Sequence, residues 1–178
     1  VGSAVPDNIV TNQHFVERGL DTSDEWITSR TGIKERRVLE NGQSVIDLAL
    51  PAAKMALEKA HKTAQDIDLI IVATSTPDYR GFPSTACLLQ HALGARQIGA
   101  FDIAVACSGF TYGISIAKQF VENQSSQTVL VVGVDCLSKV VDWEDRSTCI
   151  LFGDGAGAAV VSQVENGGIL ADSMQADG

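Results

Sequence analysis

The chain has 178 residues, enough for one well-packed domain and short for two. Its formal net charge of −9 argues against nucleic acid as a partner, because phosphates select basic surface. With 45% hydrophobic and 20% charged residues it has the composition of a soluble globular protein, and no apolar run approaches the roughly 18 residues that span a bilayer.

The chain opens Val1-Gly2-Ser3-Ala4 without methionine and without the basic-then-apolar layout of a signal peptide, so a processed or trimmed start is expected. A short strand is predicted over Val1–Ala4, and helices over Asn12–Arg18 and Ser23–Thr31. Thr22 or Ser23 can cap the second helix, Asp24 and Glu25 complement its dipole, and Gly32 ends it. Ile33–Leu39 reads as a strand with a charged middle. Apolar residues at helical spacing run from Ser44 to His61, with Pro51 expected to kink or divide the helix.

From there strands and helices alternate. Strands are predicted at Leu69–Thr74, Ile98–Ala106, Thr128–Val134 and Ala158–Gln163, with a last one at Gly168–Asp172. Helices are predicted at Ser84–Leu93 and Ser108–Asn123. Near-continuous apolar strands separated by helices indicate an α/β fold with a mostly parallel sheet covered by helices on both faces. No repeat, low-complexity segment or linker divides residues 1–178.

Cys107 stands where an apolar strand gives way to small residues, Gly109 and a helix. A helix N-terminus favours thiolate and can lower a cysteine pKa from about 8.5 into the range of roughly 3.5–7.5. The small neighbours let a carbonyl approach, and the Cys107 backbone N–H is a candidate oxyanion donor. On position alone a cysteine at a strand end is more often an inert small hydrophobe, the reading given to Cys87, Cys136 and Cys149. The four cysteines form no C-x-x-C pair, and His14, His61 and His91 stand at no ligand spacing to them. Reduced intracellular thiols and no metal site are therefore expected. The three histidines lie in helical patterns and are poor candidates for general bases.

Trp26 and Arg30, four residues apart, share a helix face, either as a stacking surface for an aromatic base or as an ordinary packing pair. Arg146 reads from spacing as an isolated solvated cation, and Lys34, Arg36 and Arg37 as a solvated basic face. Gly153-Asp-Gly-Ala-Gly157 is followed by a strand-like rather than a helical run, so it reads as a tight turn tied by Asp154 and not as a dinucleotide-binding loop.

Five stretches in order and approximate spacing carry a resemblance: Asp21-Thr-Ser-Asp-Glu-Trp-Ile27, Arg30-Thr-Gly-Ile33, Gly81-Phe-Pro-Ser84, Asp102-Ile-Ala-Val-Ala-Cys-Ser-Gly-Phe110 and Phe152-Gly-Asp-Gly-Ala-Gly157. Together they resemble the N-terminal half of beta-ketoacyl-acyl carrier protein synthase III, of the thiolase superfamily. The resemblance implies that Cys107 accepts an acetyl group from acetyl-CoA and then condenses it with malonyl-acyl carrier protein, initiating type II fatty acid synthesis. It implies coenzyme A contacts at Thr22, Trp26, Arg30 and Arg146, with the adenine held between Trp26 and Arg146. It places Phe82 near the acyl pocket across a homodimer interface, and implies a cytoplasmic enzyme needing no cofactor beyond its coenzyme A substrate. The family completes its site with a histidine and an asparagine from a second half, which this chain does not match. The chain alone is therefore expected to lack condensing activity. The alternatives are an acyl-cysteine enzyme of secondary metabolism, of polyketide or quinolone type, or a non-catalytic module that binds coenzyme A or dimerises.

Overall fold

The computed structural model describes residues 1–177; Gly178, the last residue of the expected single unit, lies outside the described residues. Its centre is a five-stranded sheet in the order β1-β7-β6-β4-β5, made of β1 (Gly2–Ala4), β4 (Leu69–Ala73), β5 (Gly99–Ile103), β6 (Thr128–Cys136) and β7 (Asp154–Ser162). The pairs β4·β5 and β4·β6 are parallel, whereas β7 runs antiparallel to both β6 and β1. Four of the five strands thus point the same way, and the sheet is mostly parallel.

The alternation of side chains along the strands builds two cores. Leu130, Val132, Val134 and Ala158 pack with α3 (Ile46–Lys59) and with Ala86 and Leu89 of α4 (Thr85–Leu93) on one face. Val129, Val131, Leu69 and Ile71 pack with Ala117 of α5 (Gly109–Glu122) on the other. A third, smaller cluster joins α1 (Asn12–Glu17), α2 (Asp24–Thr31) and the antiparallel pair β2 (Ile9–Thr11) and β3 (Glu35–Arg37) around Phe15, Ile27 and Ile150.

Several expectations are corrected. Pro51 does not divide α3, because it lies on the exposed side of the helix, where water can take the freed carbonyl. The strand expected at Ile33–Leu39 is only Glu35–Arg37, and its partner β2 carried no expectation. No strand forms at Gly168–Asp172: that segment is irregular and lies beside α5, where Asp172 pairs with Lys118 at 2.6 Å and Tyr112 Oη donates to the Gln175 carbonyl at 2.7 Å. Asp154-Gly-Ala-Gly157 is not a tight turn but the first half of β7. Asp154 makes distant rather than local ties, accepting from Leu39 N at 2.8 Å, Ser138 N at 2.9 Å and Ser138 Oγ at 2.5 Å. Arg36 is not solvated. It is 5% exposed, lies over the Phe15 ring, and donates to Val10 O, Asn12 Oδ1 and Ile150 O, with burial lowering its pKa.

Candidate active site

The strand β5 ends at Ile103, and a single 3₁₀ turn over Ala106–Ser108 joins it to α5. Cys107 is the middle residue of that turn and is exposed. Ala106 holds φ at 45°, a conformation that residues with a Cβ seldom adopt and that recurs at functional turns. The turn is pinned by the close approach of α5 to the sheet. A Cβ on Gly109 would stand 2.9 Å from the Ala73 Cβ, and one on Gly113 would stand 2.8 Å from Val131 Cγ1. Two glycines one helical turn apart therefore let α5 lie directly on β4 and β6. Its N-terminus arrives at the carboxyl ends of the parallel strands, where open α/β sheets bind ligands.

Beside Cys107 is a cavity of about 310 Å³, lined among others by Ala73, Phe110, Gly133, Asp135 and Gly157. Its walls explain the glycines of β7. Gly133 and Gly157 are paired across β6 and β7, on the face that meets α5, and a Cβ at Gly157 would meet nothing within 4 Å. Gly157 thus leaves room over the sheet, while at Gly133 a Cβ would press on the Phe110 ring at 3.2 Å. Asp135 is the charged residue of the lining; its Oδ1 accepts from Ser75 N at 2.7 Å and Thr76 Oγ1 at 3.0 Å, tying the end of β4 to β6. A larger cavity, of about 490 Å³, lies beside the C-terminal half of α5 between Lys118 and Val161. Its lining includes no cysteine or histidine, whereas the smaller one includes Cys107.

A second cluster gathers most of the other expected residues. Ser23 caps α2 by accepting from Trp26 N at 3.0 Å, and Gly32 ends the helix at φ 73°. The guanidinium of Arg30 lies 4.5 Å from the Trp26 ring centre, and that of Arg146 lies 4.7 Å from it. Arg146 also donates to the Asp21 carbonyl at 2.6 Å, so it is neither isolated nor merely solvated. Thr22 Oγ1 is buried and has no hydrogen-bond partner among the described residues. An aromatic ring edged by two cations beside an unspent hydroxyl can take a flat, anionic ligand end such as a nucleotide.

Phe82 stands apart from both groups and is 88% exposed. The cavity at Cys107 is lined by neither Phe82 nor the Trp26 cluster. The three histidines do not line it either. Cys136 and Cys149 are buried as expected, but Cys87 is exposed on α4, which corrects its reading as an inert buried thiol. Asp102 and Asp135 carried no separate expectation. Each is an acid inside an otherwise apolar strand, and that was the available signal. Among the described residues no three His, Cys, Asp or Glu stand together as metal ligands, and no helix is long and apolar enough to cross a membrane.

The description 3-oxoacyl-[acyl-carrier-protein] synthase III belongs to a family model that matches residues 101–178. The beta-ketoacyl-[acyl-carrier-protein] synthase III of Caldanaerobacter subterraneus subsp. tengcongensis is 57% identical over 178 residues, covering 99% of this chain and 53% of that protein. That of Clostridioides difficile is 53% identical, covering 100% of this chain and 54% of the relative. The crystal structure of 3-oxoacyl-[acyl-carrier-protein] synthase III from Aquifex aeolicus superposes with a TM-score of 0.88 at 53% identity, over 93% of this chain and 53% of that one. The priming beta-ketosynthase of the R1128 polyketide pathway gives a TM-score of 0.88 at 39% identity, over 93% of this chain and 49% of that one. The chain spans about half the length of the curated relatives it matches. These likenesses extend over nearly all of this chain's residues, the cysteine turn and its cavity included, so over that length the chain is similar to beta-ketoacyl-[acyl-carrier-protein] synthase III.

Proposed function

We propose that residues 1–178 form a single unit carrying the nucleophile of an initiating condensing enzyme of type II fatty acid synthesis. The Cys107 thiolate attacks the thioester carbonyl of acetyl-CoA, and the Cys107 backbone N–H is one donor to the oxyanion. The C–S bond to coenzyme A breaks, coenzyme A leaves as a thiolate that takes up a proton, and acetyl remains on Sγ. Malonyl-acyl carrier protein then loses carbon dioxide. The resulting carbanion attacks the acetyl carbonyl, releasing acetoacetyl-acyl carrier protein and the free Cys107 thiolate.

The observation that carries this reading is the position of Cys107, exposed on a turn with φ 45° at the preceding residue, at a helix start and in the wall of a mainly apolar cavity. The nucleotide end of coenzyme A goes to Thr22, Trp26, Arg30 and Arg146, supported by the orphaned Thr22 hydroxyl and the two guanidiniums against one indole. Phe82 closes the acyl pocket of a second copy, and its 88% exposure beside the free edge strand β5 supports a homodimer. The enzyme works in the cytoplasm and needs no cofactor besides its thioester substrates. This chain alone is not expected to condense acetyl with malonyl-acyl carrier protein, in keeping with a Cys107 cavity that none of its three histidines lines.

A second reading, an acyl-cysteine enzyme of secondary metabolism, is favoured by the likeness to the R1128 priming ketosynthase. The deciding experiment is incubation of the full-length protein with radiolabelled acetyl-CoA. Label is expected on wild type and not on Cys107→Ser; equal labelling of the serine variant removes the nucleophile assignment. Condensation with malonyl-acyl carrier protein from a primer other than acetyl-CoA, with acetyl-CoA inert, favours the second reading.

A further inference from the structure

Asp102 lies on β5, the strand that runs into the Cys107 turn, and its carboxylate faces the start of α4. Oδ2 accepts from Thr85 N at 2.7 Å and Oδ1 from Ala86 N at 2.8 Å. Thr85 and Ala86 are buried, so these first two helix amides depend on the carboxylate for partners, and its charge complements the helix dipole. Ser84 Oγ takes the next amide, Cys87 N, at 3.2 Å. Directly ahead of these contacts stands Gly81-Phe82-Pro83, with Gly81 at φ 94° and Phe82 projecting into solvent. One carboxylate thus joins the strand that delivers the nucleophile to the base of the loop that presents Phe82.

We propose that Asp102 is a positioning residue for acyl-chain selection, fixing the Phe82 loop to the edge strand β5 so that Phe82 enters the second copy's acyl pocket at one depth. This rests on the reading of Phe82 as an acyl-pocket wall. Asparagine at 102 keeps one acceptor oxygen but turns an NH₂ toward the second amide, which leaves a buried donor unpaired and loosens the first turn of α4. The loop then no longer holds Phe82 at one height, and the pocket loses its sharp limit on chain length.

The test compares kcat/KM for acetyl-CoA and butyryl-CoA in full-length wild type, Phe82→Ala, Asp102→Asn and Ser84→Ala. Asp102→Asn is expected to shift the acetyl-to-butyryl ratio about five-fold in the same direction as Phe82→Ala, with a smaller shift for Ser84→Ala. A folded Asp102→Asn enzyme with the wild-type ratio, beside a Phe82→Ala enzyme whose ratio has moved, overturns the proposal alone. A wild-type ratio in Phe82→Ala overturns the reading of Phe82 and the proposal with it. Should Asp102→Asn fail to fold, Ser84→Ala decides: a shifted ratio supports the positioning role and an unshifted one refutes it.

Discussion

The guanidinium of Arg146 rests 4.7 Å from the centre of the Trp26 ring, joining a residue of α2 to the loop before β7. That spacing is too close for an aromatic base to enter between them, so adenine binding requires Arg146 to swing away. Its tether is weak enough to allow this. Arg146 and Asp21 are solvent-exposed, and such pairs contribute little. Trp26→Ala is therefore expected to raise KM for acetyl-CoA with kcat nearly unchanged, by an amount worth about 1–2 kcal/mol. Steady-state kinetics check it, and an unchanged KM reduces Trp26 to a packing residue.

Gly109 couples the fold to the nucleophile. A methyl group there would stand 2.9 Å from the Ala73 Cβ, in the first turn of α5 and two residues from Cys107. Gly109→Ala must push the helix start off β4, at about 1–3 kcal/mol of stability. The displaced Cys107 should acylate about tenfold more slowly or worse, since misplacement of an ångström is costly in reacting geometry. Quenched-flow acetyl transfer and denaturant unfolding measure the two effects. A fully stable variant with wild-type acylation would mean that α5 accommodates the methyl group without moving Cys107.

The cysteines should separate by environment. Cys87 and Cys107 are exposed, whereas Cys136 and Cys149 are buried. Burial, helped by the nearby Asp154 carboxylate, pushes the Cys136 thiol up to about 12, and burial raises Cys149 as well. Of these four thiols, a chromogenic disulfide reagent at pH 8 is expected to reach Cys87 and Cys107 in the folded protein and Cys136 and Cys149 only after denaturation. Four rapid thiols in the folded state would contradict the packing of β6 and the Cys149 turn.

The strands were legible because their burial demands long apolar runs, as at Leu69–Ala73, where all five residues are buried. The place of Cys107 at a strand-to-helix turn was legible because a strand, a thiol, a glycine and a helix follow one another along the chain. β2 was not, since three residues that are exposed at both ends carry no period. Asp154 was misread because its partners, Leu39 and Ser138, are close only after folding. Arg36 failed for the same reason: its acceptors at Val10, Asn12 and Ile150 come from three segments, and local sequence shows only a cation among cations. Spacing paired Trp26 with Arg30 on one helix, but Arg146 joins them only through the fold.

Acid should test the seam between β4 and β6. Asp68 stands just before β4, where its Oδ2 accepts from Gln127 N at 2.8 Å and Thr128 N at 2.9 Å, and Arg96 pairs with Oδ1. Burial pushes its pKa up, but the two backbone hydrogen bonds and Arg96 outweigh it, so the folded value lies below the usual 3.8. A carboxylate with a lowered folded pKa contributes stability in full above its unfolded value and loses it as pH falls through the folded one. The protein should therefore lose this contribution below about pH 4. Asp66, Asp145 and Asp172 are lowered too, so a variant is needed to isolate Asp68. Asp68→Asn is expected to cost about 1–2 kcal/mol at pH 7 and to flatten the acid decline relative to wild type. Urea unfolding at a series of pH values from 7 to 3 measures both. Parallel curves for the two proteins would show that the Asp68 charge contributes nothing to the seam.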